Sequence, residues 1–334
     1  MASRREFQNI LDRVRSGGTA ERVLTAEGIE GAEGETWVRR FRPRERLLLF
    51  GCGYIAQALC PLAADLDFAV SAADDRPAFA DAARFPRAER VLCAGYGEAA
   101  ETFAIGPGDY IAVLTRGHLF DADCLRAILQ GTFPRYVGVI GSQGRAAALL
   151  DQLASEGFSR ALLDRIHTPI GLDIHALTVP EIAVSIAAEL IAVRRADLDR
   201  RSKSAILTDE GFCEPVLEFL AGSDVSGETG STDNGGTGRE FVPRAVLTVC
   251  ATGGSTPVKS GGMMAVDAQG NVAGTIGGGS GEGQLIQMAR EALGEPLGAW
   301  QGKRLVTVAM HSGPTEEGMA CGGSMRVLME IVKA

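Results

Sequence analysis

The stretch from Arg46 to Asp75 constrains the fold more than any other. An apolar run, Arg46–Phe50, leads into a turn with Gly51, Gly53, Tyr54 and Ala56. Ile55, Leu59, Leu62 and Leu66 then recur at helical spacing, and a second apolar run from Phe68 closes on Asp74 and Asp75. Strand, G-x-G-x-x-A turn, helix, strand and acid, in that order, are the parts of a dinucleotide-binding βαβ unit. Gly51 permits the tight turn, Gly53 lets backbone approach a pyrophosphate, and Ala56 keeps helix and strand close. Tyr54 opens the helix, whose first N–H groups and positive dipole end face the phosphate position. Asp74, about 20 residues past the turn, stands where an acid bonds a ribose hydroxyl. Pro61 falls inside this helix and is expected to kink it.

The alternation continues to about Arg195. Short strands are expected at Arg90–Cys93, Tyr110–Leu114 and Tyr136–Ile140, with helices between them. Asp121 is read as the cap of a helix holding Leu125, Ile128 and Leu129. Thr178-Val-Pro-Glu181 is a capping box, and Ile182, Ile186, Leu190 and Val193 share one face of the helix it starts. Such alternation implies an α/β fold, a Rossmann-like doubly wound parallel sheet. Ligands of that fold lie beyond the C-terminal ends of the strands. The rule selects Arg116, Gly117 and His118 after one strand, and Gly141 and Ser142 after another.

Composition narrows the class. At 334 residues and 46% hydrophobic content the chain supports two domains with sizeable cores. No apolar run reaches membrane-span length, and Met1–Phe7 lacks the apolar core of a signal peptide, so no membrane association and a cytoplasmic location are expected. A formal charge of −9 argues against a nucleic-acid partner. Seven scattered cysteines, never spaced C-x-x-C, argue against a disulfide framework or a zinc ribbon. His167 and His175 have no neighbours at ligand spacing, so no metal site is expected.

Residues 1–43 form an N-terminal extension, with a short helix and two strands expected, read as a cover for one edge of the following sheet. Residues 44–196 are the Rossmann-like domain. Residues 197–240 connect it onward, and 222–238, rich in Gly, Ser and Thr, form a flexible linker with little to bury. Residues 241–334 make a smaller α+β glycine-rich domain. In it, strands are expected at Ala245–Cys250, Met263–Val266, Val272–Ile276, Leu305–Met310 and Met325–Val332. Gly277, Gly278 and Gly279 run into a helix start with Ser280 and Glu282. Consecutive backbone N–H groups there suit an oxyanion, the reading favoured here; the alternative is a tight strand-to-helix joint with close backbone packing. Lys259 and the glycine-flanked Cys321 belong to the same domain.

Two motif sets together resemble one family. Gly254–Pro257, Gly274–Gly279 with Glu282, and Cys321–Gly323 are similar to one half of the XdhC/CoxI family. Leu48–Ala56, Asp74–Pro77, Leu114–His118 with Asp121, Ile140–Ser142 and His167–Asp173 are similar to its Rossmann half. The chain departs from the usual member twice. Its Rossmann half comes first, and Ser280 stands where the family usually has cysteine, which leaves Cys321 as the matching thiol.

The resemblance implies an accessory protein for xanthine dehydrogenase and related molybdenum hydroxylases. Such a protein is a chaperone that holds the molybdenum cofactor (molybdopterin) while its sulfido ligand is installed, then delivers it. A molybdenum hydroxylase and a cysteine desulfurase are the implied partners, and a homodimer is expected. The residues implied to face the cofactor are Gly51, Gly53, Tyr54, Asp74, Arg116, Gly117, His118, Gly141, Ser142, Lys259, Gly277, Gly278, Gly279, Ser280, Glu282 and Cys321. The glycine turn alone supports two other readings. One is an NAD(P)-dependent oxidoreductase with His118 as general acid; the other is a dinucleotide-sensing regulator without turnover.

Overall fold

The computed structural model describes residues 2–196, 207, 213–222, 241–256, 258–294, 302–309 and 323–334. Of the expected linker at 222–238, only Gly222 is described, as the C-cap of the helix Glu214–Ala221; residues 223–238 lie outside the described residues, as does Cys321. The chain divides into two compact units, one of Arg44–Asp199 and one of Met1–Pro43 with Arg200–Ala334. No helix among the described residues is long and apolar enough to cross a membrane.

The first unit is a parallel sheet wound on both faces. Its strands are β3 (Arg46–Phe50), β4 (Ala69–Asp74), β5 (Arg90–Cys93), β6 (Tyr110–Val113) and β7 (Tyr136–Val139), in the order β5-β4-β3-β6-β7. Every pairing is parallel. Strands β3, β6 and β7 carry apolar or small residues at nearly every position because both of their faces are buried. On one face lie α2 (Tyr54–Asp65) and α7 (Val179–Arg195), packed through Ala56, Leu59, Ala63, Ile186 and Leu190. On the other lie α3 (Tyr96–Phe103), α4 (His118–Leu129) and α5 (Gln143–Ser155), packed through Ala99, Phe103, Leu125, Ile128 and Leu149. A four-residue α6 (Arg160–Leu163) follows α5. Both bonds of the Thr178 capping box at α7 are present. Pro61 falls inside α2, on its exposed side. One local reading changes: Asp121 is not a cap, since Gly117 occupies that position and Asp121 is buried inside the first turn of α4.

The second unit is built on an antiparallel sheet of β8 (Arg244–Gly253), β9 (Met263–Asp267), β10 (Val272–Gly274), β11 (Lys303–Ala309) and β12 (Ser324–Val332). Its order is β10-β9-β8-β12-β11. Along β8 the side chains alternate. Ala245, Leu247 and Val249 meet Leu285 and Ala289 of a helix running Gly279–Gly294, whereas Val246 faces the opposite way.

That opposite face overturns one expectation. The N-terminal segment does not edge the parallel sheet. Helix α1 (Arg4–Arg15) buries Phe7, Ile10, Leu11 and Val14, and with α8 (Glu214–Ala221) it packs on Val246, Met263 and Ala265. The hairpin of β1 (Ala20–Thr25) and β2 (Thr36–Phe41) joins through Leu24 and Trp37, which meet Cys250 and Leu328. Arg22, 6% exposed, donates to both oxygens of Glu330 at 2.6 and 3.1 Å. The apolar face of α1 was legible in the sequence, but its partner was more than 200 residues away.

Phe7 is fully buried, so Phe7→Ala is expected to cost about 3–5 kcal/mol. Hydrogen exchange checks where the cost falls. Protection should drop in α8, β8 and β9 and persist in β3 and β6; loss in the parallel sheet instead would contradict this packing.

Candidate functional site

The glycine turn is fixed from both sides. Gly51 has φ +108°, and a Cβ there would stand 2.4 Å from the carbonyl oxygen of Leu114, so only glycine fits. Gly51 N–H donates to Ala73 on one flank, and Leu114 N–H donates to Phe50 on the other. Gly53 differs: it is the N-cap of α2, and a Cβ there would meet nothing within 4 Å. Tyr54 beside it is 72% exposed. The turn therefore offers open backbone above a tightly packed floor. Cys52 is buried, and burial together with the charge of Asp74 pushes its thiol up to about 12, which makes it inert.

Asp74 is at the predicted place with a different task. Its carboxylate is fully buried at the end of β4. One oxygen accepts from Cys52 N–H at 2.8 Å and Arg76 Nη2 at 2.9 Å; the other accepts from Arg76 Nε at 2.8 Å and Arg76 N–H at 3.0 Å. Burial alone would raise its pKa, but these hydrogen bonds outweigh burial and hold it below the ordinary value. Both oxygens are occupied, so Asp74 fastens the turn and offers no free acceptor to a ribose. The next acid, Asp75, is partly exposed and makes a two-bonded ion pair with Arg116 at 2.5 and 2.9 Å. Arg116 also lies over the Phe120 ring, 3.8 Å from its centroid.

The loop after β6 is held from beneath. Thr115 donates to buried Asp121 at 2.5 Å, and Gly117 caps α4. His118 is the first residue of α4. Gly141 follows β7, and Ser142 is the N-cap of α5. The C-terminal edge of the parallel sheet thus gathers Gly51, Gly53, Tyr54, Asp74, Arg116, Gly117, His118, Gly141 and Ser142.

A polar cluster that sequence reasoning missed lies beside β7. Glu189 of α7 accepts from Tyr136 Oη at 2.5 Å and Gly171 N–H at 2.8 Å, and pairs with His167 Nδ1 at 3.0 Å. Burial opposes the charge of Glu189, and these bonds outweigh it and lower its pKa. The available signal was one acid on the apolar face shared by Ile186 and Leu190. The cluster gives His167 an orienting role next to the sheet. Among the described residues, no group of His, Cys, Asp or Glu is arranged to hold a metal ion.

In the other unit, Gly277, Gly278 and Gly279 all have positive φ, from +70° to +121°. They lead into α9 (Gly279–Gly294). One Glu282 oxygen accepts from Thr275 Oγ1 at 2.6 Å, Ile276 N–H at 2.9 Å and Gly278 N–H at 3.1 Å. The sequence marked Glu282 as a neighbour of an anion site; the structure makes it the oxyanion already bound there. Those bonds lower its pKa against the opposing effect of burial. A Cβ at Gly278 would meet nothing within 4 Å, so the loop remains open on that side. Lys259 lies in the loop between β8 and β9, and Ser280 is the second residue of α9.

Comparison with known proteins matches each unit separately. The XdhC Rossmann domain profile matches residues 47–190. The XdhC and CoxI family profile matches residues 239–298. The chain belongs to the XdhC/CoxI family. Its two family domains stand in reversed order, Rossmann first. The chain is 31% identical over 159 residues to a probable xanthine dehydrogenase subunit of Bacillus subtilis, covering 48% of this chain and 46% of that protein. It is 30% identical over 152 residues to the uncharacterized protein YqeB of Escherichia coli, covering 45% and 28%. A crystal structure of a xanthine dehydrogenase from Bacillus halodurans shares the fold, with TM-score 0.51 and 24% identity over 57% of this chain and 64% of that one. The chain thus spans less than half the length of these curated relatives.

The lowered carboxyls of Asp74, Glu189 and Glu282 contribute to the acid response, together with those of Glu35, Asp75, Glu156 and Glu181. Each binds a proton less readily folded than unfolded. Their stabilisation is therefore complete above the ordinary carboxylate pKa and lost as pH falls through the folded values. Urea midpoints should hold from pH 7 to about 5 and fall below about pH 4. Asp74→Asn should cost about 2–3 kcal/mol at pH 7, and less as pH falls through the lowered folded pKa of Asp74. A cost independent of pH would contradict the assigned pairing.

Proposed function

We propose that this chain is an accessory protein of a xanthine dehydrogenase-like molybdenum hydroxylase, binding the molybdenum cofactor during its sulfuration and delivery. One observation carries the reading: both family domains occur on one chain, and each presents open, glycine-built backbone of the kind a phosphate-bearing cofactor needs. The residues fit such a cargo. An added Cβ at Gly53 or Gly278 would occupy empty space, so a ligand can approach either turn; at Gly53 it meets the start of α2, whereas Gly278 N–H is already held by Glu282. Within the parallel-sheet unit the Gly51–Tyr54 turn and Arg116 would hold a phosphate-bearing group; within the other unit, taken by itself, the Gly277–Gly279 loop with Lys259 and Cys321 would be the corresponding contact. When bound, the cofactor supplies the metal centre and its dithiolene.

The chain itself supplies binding and orientation. The α2 N-terminus attracts a phosphate, and Asp74 keeps the turn in the receptive shape. Glu282 keeps the glycine loop wound by taking the N–H groups of Ile276 and Gly278, which holds the open side of Gly278 in place. The occupied Asp74 carboxylate argues against an NAD ribose hydroxyl at the end of β4. A cysteine desulfurase as sulfur donor, a homodimer and a cytoplasmic location complete the proposal.

The test is molybdenum content. The full chain, purified from cells that make the cofactor, should carry molybdenum by plasma mass spectrometry and release a fluorescent oxidised pterin. Gly278→Val, at φ +70°, should lose most of it. Cys321→Ser should keep the fold but retain less sulfurated cofactor. Wild type devoid of both signals would sink the reading.

A further inference from the structure

Tyr96 carries a polar group without a partner. It is the first residue of α3, 5% exposed, just past the C-terminal end of β5. Its hydroxyl is buried and makes no hydrogen bond. Its ring packs against Phe50, the last residue before the glycine turn, and against Phe120, with centroids 6.4 and 6.1 Å away. Burial, then the nearby negative charge of Asp74, pushes the phenol far above its ordinary value, so it remains an O–H donor. Leaving such a donor unmatched costs about 1–3 kcal/mol. A chain that keeps one beside a ligand-facing edge has a reason to keep it.

The Asp75–Arg116 pair lies at the same place. Strand β3 stands between β4 and β6 in the sheet. Asp75 follows β4 and Arg116 follows β6, so their ion pair links two strands that are not neighbours, about 10 Å apart. The strand between them is the one that delivers the Gly51–Gly53 turn. Arg116 rests on Phe120, the ring that Tyr96 packs against. The two side chains of the pair remain 30–35% exposed, so the link can open to solvent.

We propose that Arg116 and Tyr96 form an anion subsite for a phosphate or pyrophosphate group of the ligand held at the glycine turn, and that Asp75 occupies Arg116 until that ligand arrives. The subsite rests on the reading of this unit as a site for a phosphate-bearing cofactor. The exchange swaps one oxyanion for another on a guanidinium whose planar fork suits both. Opening the pair also gives a ligand oxygen access to the Tyr96 hydroxyl, which then gains its missing acceptor. A neutral hydroxyl cannot displace Asp75 from Arg116, whereas a more highly charged phosphate anchored by the turn can. Asp75 therefore selects for charge at a position where Asp74, already paired, cannot select.

Calorimetric titration of the full chain with inorganic pyrophosphate and with ADP tests this. Asp75→Asn should bind both probes about five- to tenfold more tightly than wild type, because the internal competitor is gone. Arg116→Gln and Tyr96→Phe should each bind about five- to tenfold more weakly. Tyr96→Phe should melt no lower than wild type, since the hydroxyl it deletes makes no bond; a merely structural tyrosine would not lose affinity while keeping stability. The proposal is overturned if Asp75→Asn binds no better, if Tyr96→Phe binds as well as wild type, or if neither wild type nor Asp75→Asn binds pyrophosphate. The pattern of variants with pyrophosphate upholds the subsite even if the purified chain carries no molybdenum, and in that case only the proposed cargo fails.

Discussion

The buried carboxylate of Asp74 is the interaction on which the parallel-sheet unit depends. A charge in that position is costly unless every lone pair is met, and here an arginine fork and two backbone N–H groups meet them. The bond to Cys52 N–H ties the end of β4 to the glycine turn. On the other flank, Gly51 approaches Leu114 too closely for any side chain. Between these two constraints the turn has one shape, and that shape leaves Gly53 and the start of α2 open. The turn is tightly packed at Gly51 and open at Gly53 and the start of α2.

Much of this was legible because it is local. The G-x-G-x-x-A turn, the apolar run of each strand and the Thr178 capping box depend on residues within a few positions of one another, and the structure reproduces them. What the sequence hid was choice of partner. Spacing put Asp74 at the end of β4 but did not say that Arg76 and Cys52 would take its oxygens. Likewise Glu282 was visible beside three glycines, yet only the fold turns its carboxylate back into their N–H groups. Helix α1 showed an apolar face without its destination, because the partner strands follow it by more than 200 residues. Tyr96 gave no signal, since an unpartnered hydroxyl is a property of packing.

Both units solve a related problem with opposite chemistry. The parallel unit neutralises an acid with an arginine and keeps a turn open. The antiparallel unit fills part of a glycine loop with its own glutamate. Each holds strained or exposed backbone in place through an internal carboxylate, and each carries one half of the XdhC/CoxI family. Reversal of the two halves along the chain leaves these local devices intact, because the hydrogen bonds of Asp74 and those of Glu282 each lie within one unit.

Equilibrium titration of the purified chain with molybdenum cofactor, run beside NAD and NADP, tests the central claim most directly. The account predicts tight binding of the cofactor, weak binding of NAD, and loss of cofactor affinity in Gly53→Val as well as Gly278→Val. Tight binding of NAD with no affinity for the cofactor would contradict it, and would mean that the family's domains here serve a nucleotide rather than a molybdenum centre.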